Sequence, residues 1–343
     1  MCSSDLRQRA NVALTMPRLF KLKLPTVISV TASNENRIQT EDGEITVKGR
    51  PYDSLRYSIS TQSEKVLSRR ESMFYRYEFA SVRNSLPDDP DLPPLEFYRE
   101  EERLRLSSIS TSYVNESRAN PLNPTGGFFL SGDAKLTAKI LGSERQFIRF
   151  LGQGRYYHPL TENLIVASSL RLGIIQPFGN TLEVEEIPDP REEGTDPGEE
   201  RTPDPVPISE RFFAGGPTTL RGLPLDLAGP LLLDDEGNPV LVNTGGGNQA
   251  AVPLGGNVLG VLNLELRFPL FFIFGGNFFY DGGNVFASPT KIAFSKLSHD
   301  VGFGLSIRTP IGPFRIDAAY NPDPPDITGF SKWNFHLNFG HPF

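Results

Sequence analysis

Residues 333–343 read WNFHLNFGHPF, and the alternation within this stretch decides the fold. Its odd positions are apolar or aromatic apart from His341, whereas its even positions are polar or small. A period of two residues is that of a β-strand whose two faces meet different surroundings. The apolar face of this strand carries Phe335, Leu337, Phe339 and Phe343.

The same alternation recurs through the chain, for example at 301–308, 262–268, 128–139 and 73–79. It predicts about twelve strands, at 24–33, 53–64, 69–83, 101–114, 126–141, 145–158, 163–176, 257–269, 273–286, 299–309, 312–320 and 331–343. A soluble β-sandwich would also alternate. Two details favour a membrane barrel: several strands are long enough to cross a bilayer at a tilt, and their polar faces carry glycines and charges of both signs. We therefore predict an all-β, transmembrane antiparallel β-barrel over 24–343.

Composition argues against several other classes of protein. The 34 Lys and Arg against 41 Asp and Glu give a net charge of −7, which argues against a general nucleic-acid surface. The apolar run FPLFFIF at 268–274 is far shorter than the roughly 20 residues of a membrane helix. A single cysteine, Cys2, excludes a disulfide framework. Residues 1–23 show neither the strand pattern nor a secretory signal, and we expect a non-native or disordered N-terminus there.

One long connection interrupts the strands at 177–256. Loops of this length in a compact domain are usually functional or disordered. Its segment 183–205 is acidic and rich in proline, which is typical of a solvated, flexible excursion. The segment 209–256 is instead rich in glycine and apolar residues, so we expect it to pack against another part of the protein.

The loop contains the sequence RFFAGGPTTLRGLPLD at 211–226. Around it, in order, are NPLNPTGGFFLSGDAK (120–135), NLELRFPL (263–270), FFYDGGNVF (278–286), GFGLSIRTPIGPFRIDAAY (302–320) and the terminal aromatic. With these segments the chain resembles the BamA/TamA family of outer-membrane assembly factors, also called bacterial surface antigens. The resemblance covers most of 120–343 and is vague before residue 100. Leu220 and Leu223 depart from the Val-Arg-Gly-Phe or Tyr pattern that is usual in the family.

The resemblance implies a sixteen-stranded barrel behind periplasmic POTRA domains, in the outer membrane of a Gram-negative bacterium. This chain is too short for all of that, so we expect a C-terminal fragment with about the last twelve strands. The implied function is insertion or translocation of other outer-membrane proteins without ATP, with a client strand pairing to a barrel edge. The implied partners are outer-membrane lipids, unfolded outer-membrane protein clients and periplasmic accessory proteins, without nucleic acid. A two-partner secretion transporter of the same superfamily and a passive porin are the alternatives.

The resemblance also implies the site residues. The loop would fold into the lumen, where Arg221 would meet an acid of the inner wall, Asp281 first and Glu265 second; an ordinary solvated loop charge is the alternative. Gly215, Gly216 and Gly222 would permit the tight backbone of the loop tip. Phe335, Leu337, Phe339 and Phe343 resemble the C-terminal signal that the outer-membrane insertion machinery recognises.

Further inward-facing basic residues are expected on the strands: Arg149, Arg155, Arg171, Arg267, Arg308 and Arg315. They could line a conducting path, but an ion-paired network with Glu265, Asp281 and Asp317 is the favoured interpretation. The four histidines have no metal-ligand spacing, and the sequence contains no G-x-S-x-G, H-E-x-x-H or phosphate-binding glycine motif. We predict no enzyme activity, no metal and no cofactor.

Overall fold

The computed structural model describes residues 6–17, 24–36, 38–41, 44–47, 53–85, 103–179, 206–234, 237–245, 248–309, 312–325, 327, 330–340 and 343. Thirteen strands form one antiparallel sheet, and each of them pairs with the next of the thirteen along the chain. These strands are β1 (Leu6–Met16), β2 (Thr26–Asn36), β5 (Asp53–Val66), β6 (Glu71–Ser85), β7 (Leu104–Glu116), β8 (Gly127–Thr137), β9 (Phe147–Pro159), β10 (Ile165–Pro177), β13 (Val258–Pro269), β14 (Phe274–Phe286), β15 (Ser298–Thr309), β16 (Gly312–Tyr320) and β17 (Trp333–Phe339).

Two short hairpins lie outside this sheet. They are β3 (Ile38–Glu41) with β4 (Glu44–Val47), and β11 (Leu241–Gly245) with β12 (Asn248–Ala251). The described helices are all short 3₁₀ turns, at Lys139–Leu141, Ile208–Glu210, Pro289–Lys291 and Phe294–Lys296. In the described part of the chain no helix is long and apolar enough to cross a membrane.

All twelve predicted strands are present, and β1 is an additional strand that the sequence analysis did not predict. The expected disorder over 1–23 is therefore wrong for Leu6–Met16, which pairs with β2 along its whole length. Apolar alternation is weak in β1, where Val12 and Leu14 are the exposed large apolar side chains among those that the structure describes.

The faces of the sheet are arranged as a membrane barrel requires. Large apolar side chains are exposed on the outer face of successive strands, including Ile59, Tyr77, Ile109, Leu130, Phe150, Leu172, Leu264, Phe278, Phe303, Ile316 and Phe335. Charged and amide side chains are buried on the inner face, among them Asn263, Glu265, Arg267, Asp281, Asp300, Arg315 and Asp317. This is the reverse of a soluble sandwich, and the predicted barrel is confirmed. The described sheet is not closed, because β1 and β17 are its two edges.

The connections differ between the two ends of the sheet. The short connections 67–70, 160–164 and 270–273 lie at one end, which we call the short-turn end. The long connection 178–257 lies at the other, the long-loop end. Outer-membrane barrels have short periplasmic turns and long extracellular loops, so this difference gives the expected orientation across the membrane.

Residues 206–257, which we call the lumen loop, pack against the inner face of the sheet. Loop residues Val206, Phe212, Ala214, Leu220, Leu223 and Ala228 form one buried apolar cluster with wall residues Phe147, Ile175, Leu259, Val261 and Val285. The expectation that the glycine-rich and apolar segment is packed is confirmed, because these side chains exclude water between loop and wall. The acidic segment 183–205 lies outside the described residues.

The end of the chain departs from the predicted strand. Phe335, Leu337 and Phe339 lie on the exposed outer face as expected, but Phe343 is buried against Tyr157 and Ala167. Its ring also lies beneath the Arg267 guanidinium, at 5.6 Å from the carbon to the ring centroid. The alternation fails here because β17 ends at Phe339 and Gly340 has a left-handed backbone, with φ of 89°. His341 and Pro342 lie outside the described residues. Recognition of the first three aromatic and aliphatic positions as an insertion signal stays a prediction.

Candidate functional site

The tip of the lumen loop is a tight turn built on two glycines. Gly215 and Gly216 have φ of 113° and 86°, a conformation that side chains with a Cβ adopt only with strain. The Thr219 hydroxyl closes the turn, because it accepts from the Gly215 N–H at 2.8 Å and donates to the Gly215 carbonyl at 2.9 Å. A Cβ on Gly215 would lie 2.3 Å from the Pro224 carbonyl oxygen. Both predicted tip glycines are therefore required by the geometry of the turn.

This turn presents Arg221 to Asp281 on β14. The guanidinium donates twice to the carboxylate, from Nε to Oδ2 at 2.7 Å and from Nη2 to Oδ1 at 2.8 Å, and the Arg221 backbone N–H adds a third bond at 3.2 Å. Both side chains are almost completely buried, at 1% and 0% exposed. The guanidinium carbon lies 3.4 Å from the centroid of the Phe279 ring. Bidentate geometry and stacking on an aromatic face are what a guanidinium provides and an ammonium does not.

The charge of Asp281 keeps Arg221 ionised. Burial alone would lower the pKa of the Arg221 guanidinium, but the Asp281 carboxylate outweighs that effect and raises it above the usual value.

Glu265, the second acid expected near Arg221, acts on it through its charge, which helps Asp281 to raise the pKa of the guanidinium. Its carboxylate lies 3.0 Å from Arg315 and 3.3 Å from Arg267. The register sets Glu265 apart from Asp281, because Asn263 lies opposite Asp281 while Glu265 lies opposite Phe279. Two residues along a strand move Glu265 by roughly 7 Å toward the short-turn end. Asp317 is a third acid near Arg221, with Oδ2 3.8 Å from Nη1.

Gly222 fixes the loop to the next strands. Its N–H donates to Asp300 Oδ2 on β15 at 3.0 Å, and its carbonyl accepts from Asn334 Nδ2 on β17 at 2.9 Å. The neighbouring carbonyl of Arg221 accepts from His336 Nε2 at 2.8 Å. Asp300, Asn334 and His336 were not predicted as site residues, although alternation places the last two on the inner face of their strand.

We predict that Gly222→Ala destabilises the protein without any change of charge. The added Cβ would lie 2.3 Å from Asp300 Cγ, so the loop or the strand must shift, at a cost of about 1–3 kcal/mol. The measurement is the free energy of unfolding by denaturant in detergent micelles. Gly260→Ala is the matched control, because its Cβ would meet nothing within 4 Å. Equal stability losses for both variants would contradict the packing of the loop against β15.

A second anchor, Glu210, precedes the tip and was not foreseen from the sequence. Its carboxylate accepts from Lys135 Nζ at 2.7 Å and from Arg56 Nη1 at 3.3 Å, and lies 3.8 Å from Arg149. The side chain is 3% exposed. Burial would raise the pKa of Glu210, but the charges of Lys135 and Arg56 outweigh burial and lower it to about 2. Glu210 therefore attaches the loop to β5, β8 and β9 as a carboxylate.

The two anchors have opposite charges and lie on opposite parts of the inner face. We call the inward cations of β5 and β8–β10 the basic wall; they are Arg56, Lys135, Arg149, Arg155 and Arg171. The inward acids of β14–β16 form the acidic wall; they are Asp281, Asp300 and Asp317. The loop offers an acid, Glu210, to the first and a base, Arg221, to the second. The loop thus connects the two walls across the lumen, with ion pairs to each.

The predicted ion-paired network is present only in part. Arg149, Arg267 and Arg315 pair with carboxylates, whereas Arg308 donates to the Phe272 carbonyl at 3.0 Å. In the described chain, Arg155 and Arg171 have no carboxylate within ion-pair distance. Nor do three or more metal-ligating side chains come together within the described ranges. The prediction that the protein is not an enzyme stays a prediction.

Comparison with known proteins agrees with this fold. Among solved structures, the chain is similar to BamA from Haemophilus ducreyi lacking POTRA domains 1–3, with a TM-score of 0.69 and 16% identity over 96% of this chain and 61% of that one. It is also similar to CdiB from Escherichia coli, with a TM-score of 0.54 and 13% identity over 96% of this chain and 52% of that one. This chain thus spans roughly half to three fifths of these proteins, and at such identities the likeness shows the fold. A family model described as the Omp85 superfamily domain matches residues 2–343. Since that match extends over nearly the entire sequence, the chain belongs to the Omp85 superfamily.

Proposed function

We propose that the protein acts in the bacterial outer membrane as an insertion or translocation factor of the BamA/TamA type, and that it uses no nucleotide. The observation that carries the proposal is the Arg221–Asp281 pair, which holds the Arg-Gly loop tip inside the lumen as the family resemblance implies. The clients are unfolded outer-membrane proteins, with lipids and periplasmic accessory proteins as further partners.

The edge strand β17 provides the surface for a client. Within the described sheet it pairs only with β16, so its other edge offers backbone donors and acceptors. Unpaired backbone groups cost several kcal/mol each in a bilayer, which favours the addition of a client strand. Main-chain hydrogen bonds would then template the client without any chemical energy source.

The loop anchors act on this edge. Asn334 and His336, both on β17, donate from their side chains to backbone carbonyls of the loop tip. These bonds hold the edge strand by its inner face and leave the backbone edge free for pairing. The loop therefore supports a stable edge that remains open to a client.

A two-partner secretion transporter of the same superfamily is the second candidate, and the likeness to CdiB favours keeping it. A passive porin is less favoured, because the apolar cluster between loop and wall occupies lumen that a porin would leave to water. The insertion factor and the two-partner secretion transporter differ in where the client ends. The insertion factor leaves the client in the bilayer, whereas the transporter passes it across.

The test is the folding of an unfolded outer-membrane barrel protein into phospholipid vesicles that contain the purified chain. We expect faster appearance of the folded, heat-modifiable client without ATP than in empty vesicles. Vesicles with the Arg221→Ala variant should lose most of the acceleration, and vesicles with Arg105→Ala should retain it.

Three outcomes would count against the proposal. Equal folding rates with and without the chain would contradict insertion. A client that becomes protected inside the vesicles would favour the transporter. Large, steady ionic conductance in planar bilayers would favour the porin.

A further inference from the structure

The basic wall contains one pair of cations that the lumen loop does not neutralise. Arg56, Lys135 and Arg149 all lie against the Glu210 carboxylate. Arg155 and Arg171 instead share a neutral acceptor, the side-chain oxygen of Gln153, once that amide is oriented with its oxygen toward them. The distances are 3.1 Å from Arg155 Nη2 and 3.2 Å from Arg171 Nη2.

The strand register holds this pair together. Arg171 lies opposite Gln153, and Arg155 lies opposite Ser169, so the four side chains form two adjacent cross-strand pairs of β9 and β10. The Arg155 guanidinium is further oriented by the Phe129 ring, at 5.3 Å from its centroid. The adjacent acid, Glu116, is already engaged by Arg118 in two bonds of 2.9 and 2.7 Å.

The pair lies directly beneath the lumen loop, on its short-turn side. The Phe212 ring covers Gly173, where a Cβ would come within 2.6 Å of it, and Arg171 is the next inward-facing residue of β10 toward the short-turn end. Both arginines are half-buried rather than enclosed, so they can be reached from the lumen.

Two guanidiniums that converge on one neutral oxygen repel each other, and an amide offers no charge to offset this. An oxyanion would accept from both guanidinium forks and neutralise them, with stronger bonds than the amide makes. The Ser169 hydroxyl, which is 1% exposed and has no hydrogen-bond partner among the described atoms, offers one more donor on the same wall.

We infer that Arg155, Arg171 and Ser169 form an oxyanion site in the lumen, which takes a carboxylate or phosphate group in the place where Gln153 now bridges the two arginines. The inference concerns binding alone and does not rest on the proposed function.

The experiment is thermal unfolding of the full chain in zwitterionic detergent, with inorganic phosphate in one series and N-acetylglutamate in another, each against sodium chloride of equal ionic strength. We expect a saturable rise of several degrees in Tm with at least one probe, since a ligand that binds only the folded state stabilises it. A rise in Tm with phosphate alone would identify a phosphate source. A rise with N-acetylglutamate alone would identify a carboxylate source, and a rise with both would identify a general oxyanion site.

The double variant Arg155→Gln/Arg171→Gln should lose this rise. Arg69→Gln/Arg70→Gln removes the same charge from an exposed turn and should keep it. If the first variant does not fold, modification of the unmutated chain by phenylglyoxal provides the test, because saturating phosphate or N-acetylglutamate should slow modification at Arg155 and Arg171 but not at Arg69 and Arg70. No Tm rise with either probe, an equal rise in the Arg155/Arg171 variant, or no protection of these arginines would overturn the inference.

Discussion

Replacing Arg221 with alanine is expected to lower the free energy of unfolding by about 3–5 kcal/mol, because Asp281 is left buried and charged without its partner. The variant also loses the contact with the Phe279 ring, at 3.4 Å from its centroid. Loss of the anchor should release the loop tip, so that protease cuts within 206–257 faster than in the unmutated chain. Both quantities are measured in the same detergent, by denaturant titration and by timed proteolysis.

The matched control is Arg105→Ala. Arg105 also pairs with a carboxylate, that of Glu144 at 2.8 Å, but its side chain is 65% exposed. Exposed pairs contribute roughly 0–1 kcal/mol. If Arg221→Ala costs no more than this control and leaves proteolysis unchanged, the Arg221–Asp281 pair does not anchor the loop.

The second large effect is expected at Glu210 and depends on pH. Because the pKa of Glu210 falls from an ordinary 4.5 to about 2 on folding, its contribution to stability is complete above pH 4.5 and is lost as pH falls through 2. A shift of this size corresponds to roughly 3 kcal/mol. Glu210→Gln should remove that contribution at neutral pH, because Lys135, Arg56 and Arg149 then lose their common counter-charge.

The measurement is the free energy of unfolding between pH 2 and pH 7 for the unmutated chain and the variant. The difference between the two should be largest at neutral pH and shrink as acid protonates Glu210. Glu162→Gln serves as control, since Glu162 is exposed in the 160–164 turn. A difference that is constant over the whole pH range would show that the carboxylate charge of Glu210 is not what stabilises the loop.

Much of the fold could be predicted because every strand of a membrane barrel alternates outward apolar residues with inward polar or small ones. Residues such as Phe303 and Leu305 face outward, and Asp317 faces inward, as alternation requires. The pairing of Arg221 with Asp281 came from the family resemblance, since no period relates a loop residue to a strand about sixty positions later in the chain.

The structural features that could not be predicted from the sequence share a physical cause. Glu210 lies in an irregular loop, where sequence spacing carries no information about which wall a side chain will meet. Glu265 and Asp281 share the inner face, but alternation does not give the register, so the two residues of register that separate these acids could not be predicted. Phe343 was placed on the outer face because the left-handed turn at Gly340 does not interrupt the apparent alternation.

A disulfide bond tests directly whether the loop tip lies inside the lumen. A Cβ on Gly222 would lie 2.8 Å from the Cβ of Asp300, so with a shift of about 1 Å cysteines at both positions reach disulfide geometry. In a Cys2→Ser background, Gly222→Cys/Asp300→Cys should oxidise to an intramolecular disulfide, while Gly222→Cys paired with Asp133→Cys on β8 should not. Two free thiols in the first variant, both labelled by a maleimide in the folded protein, would contradict the placement of the loop.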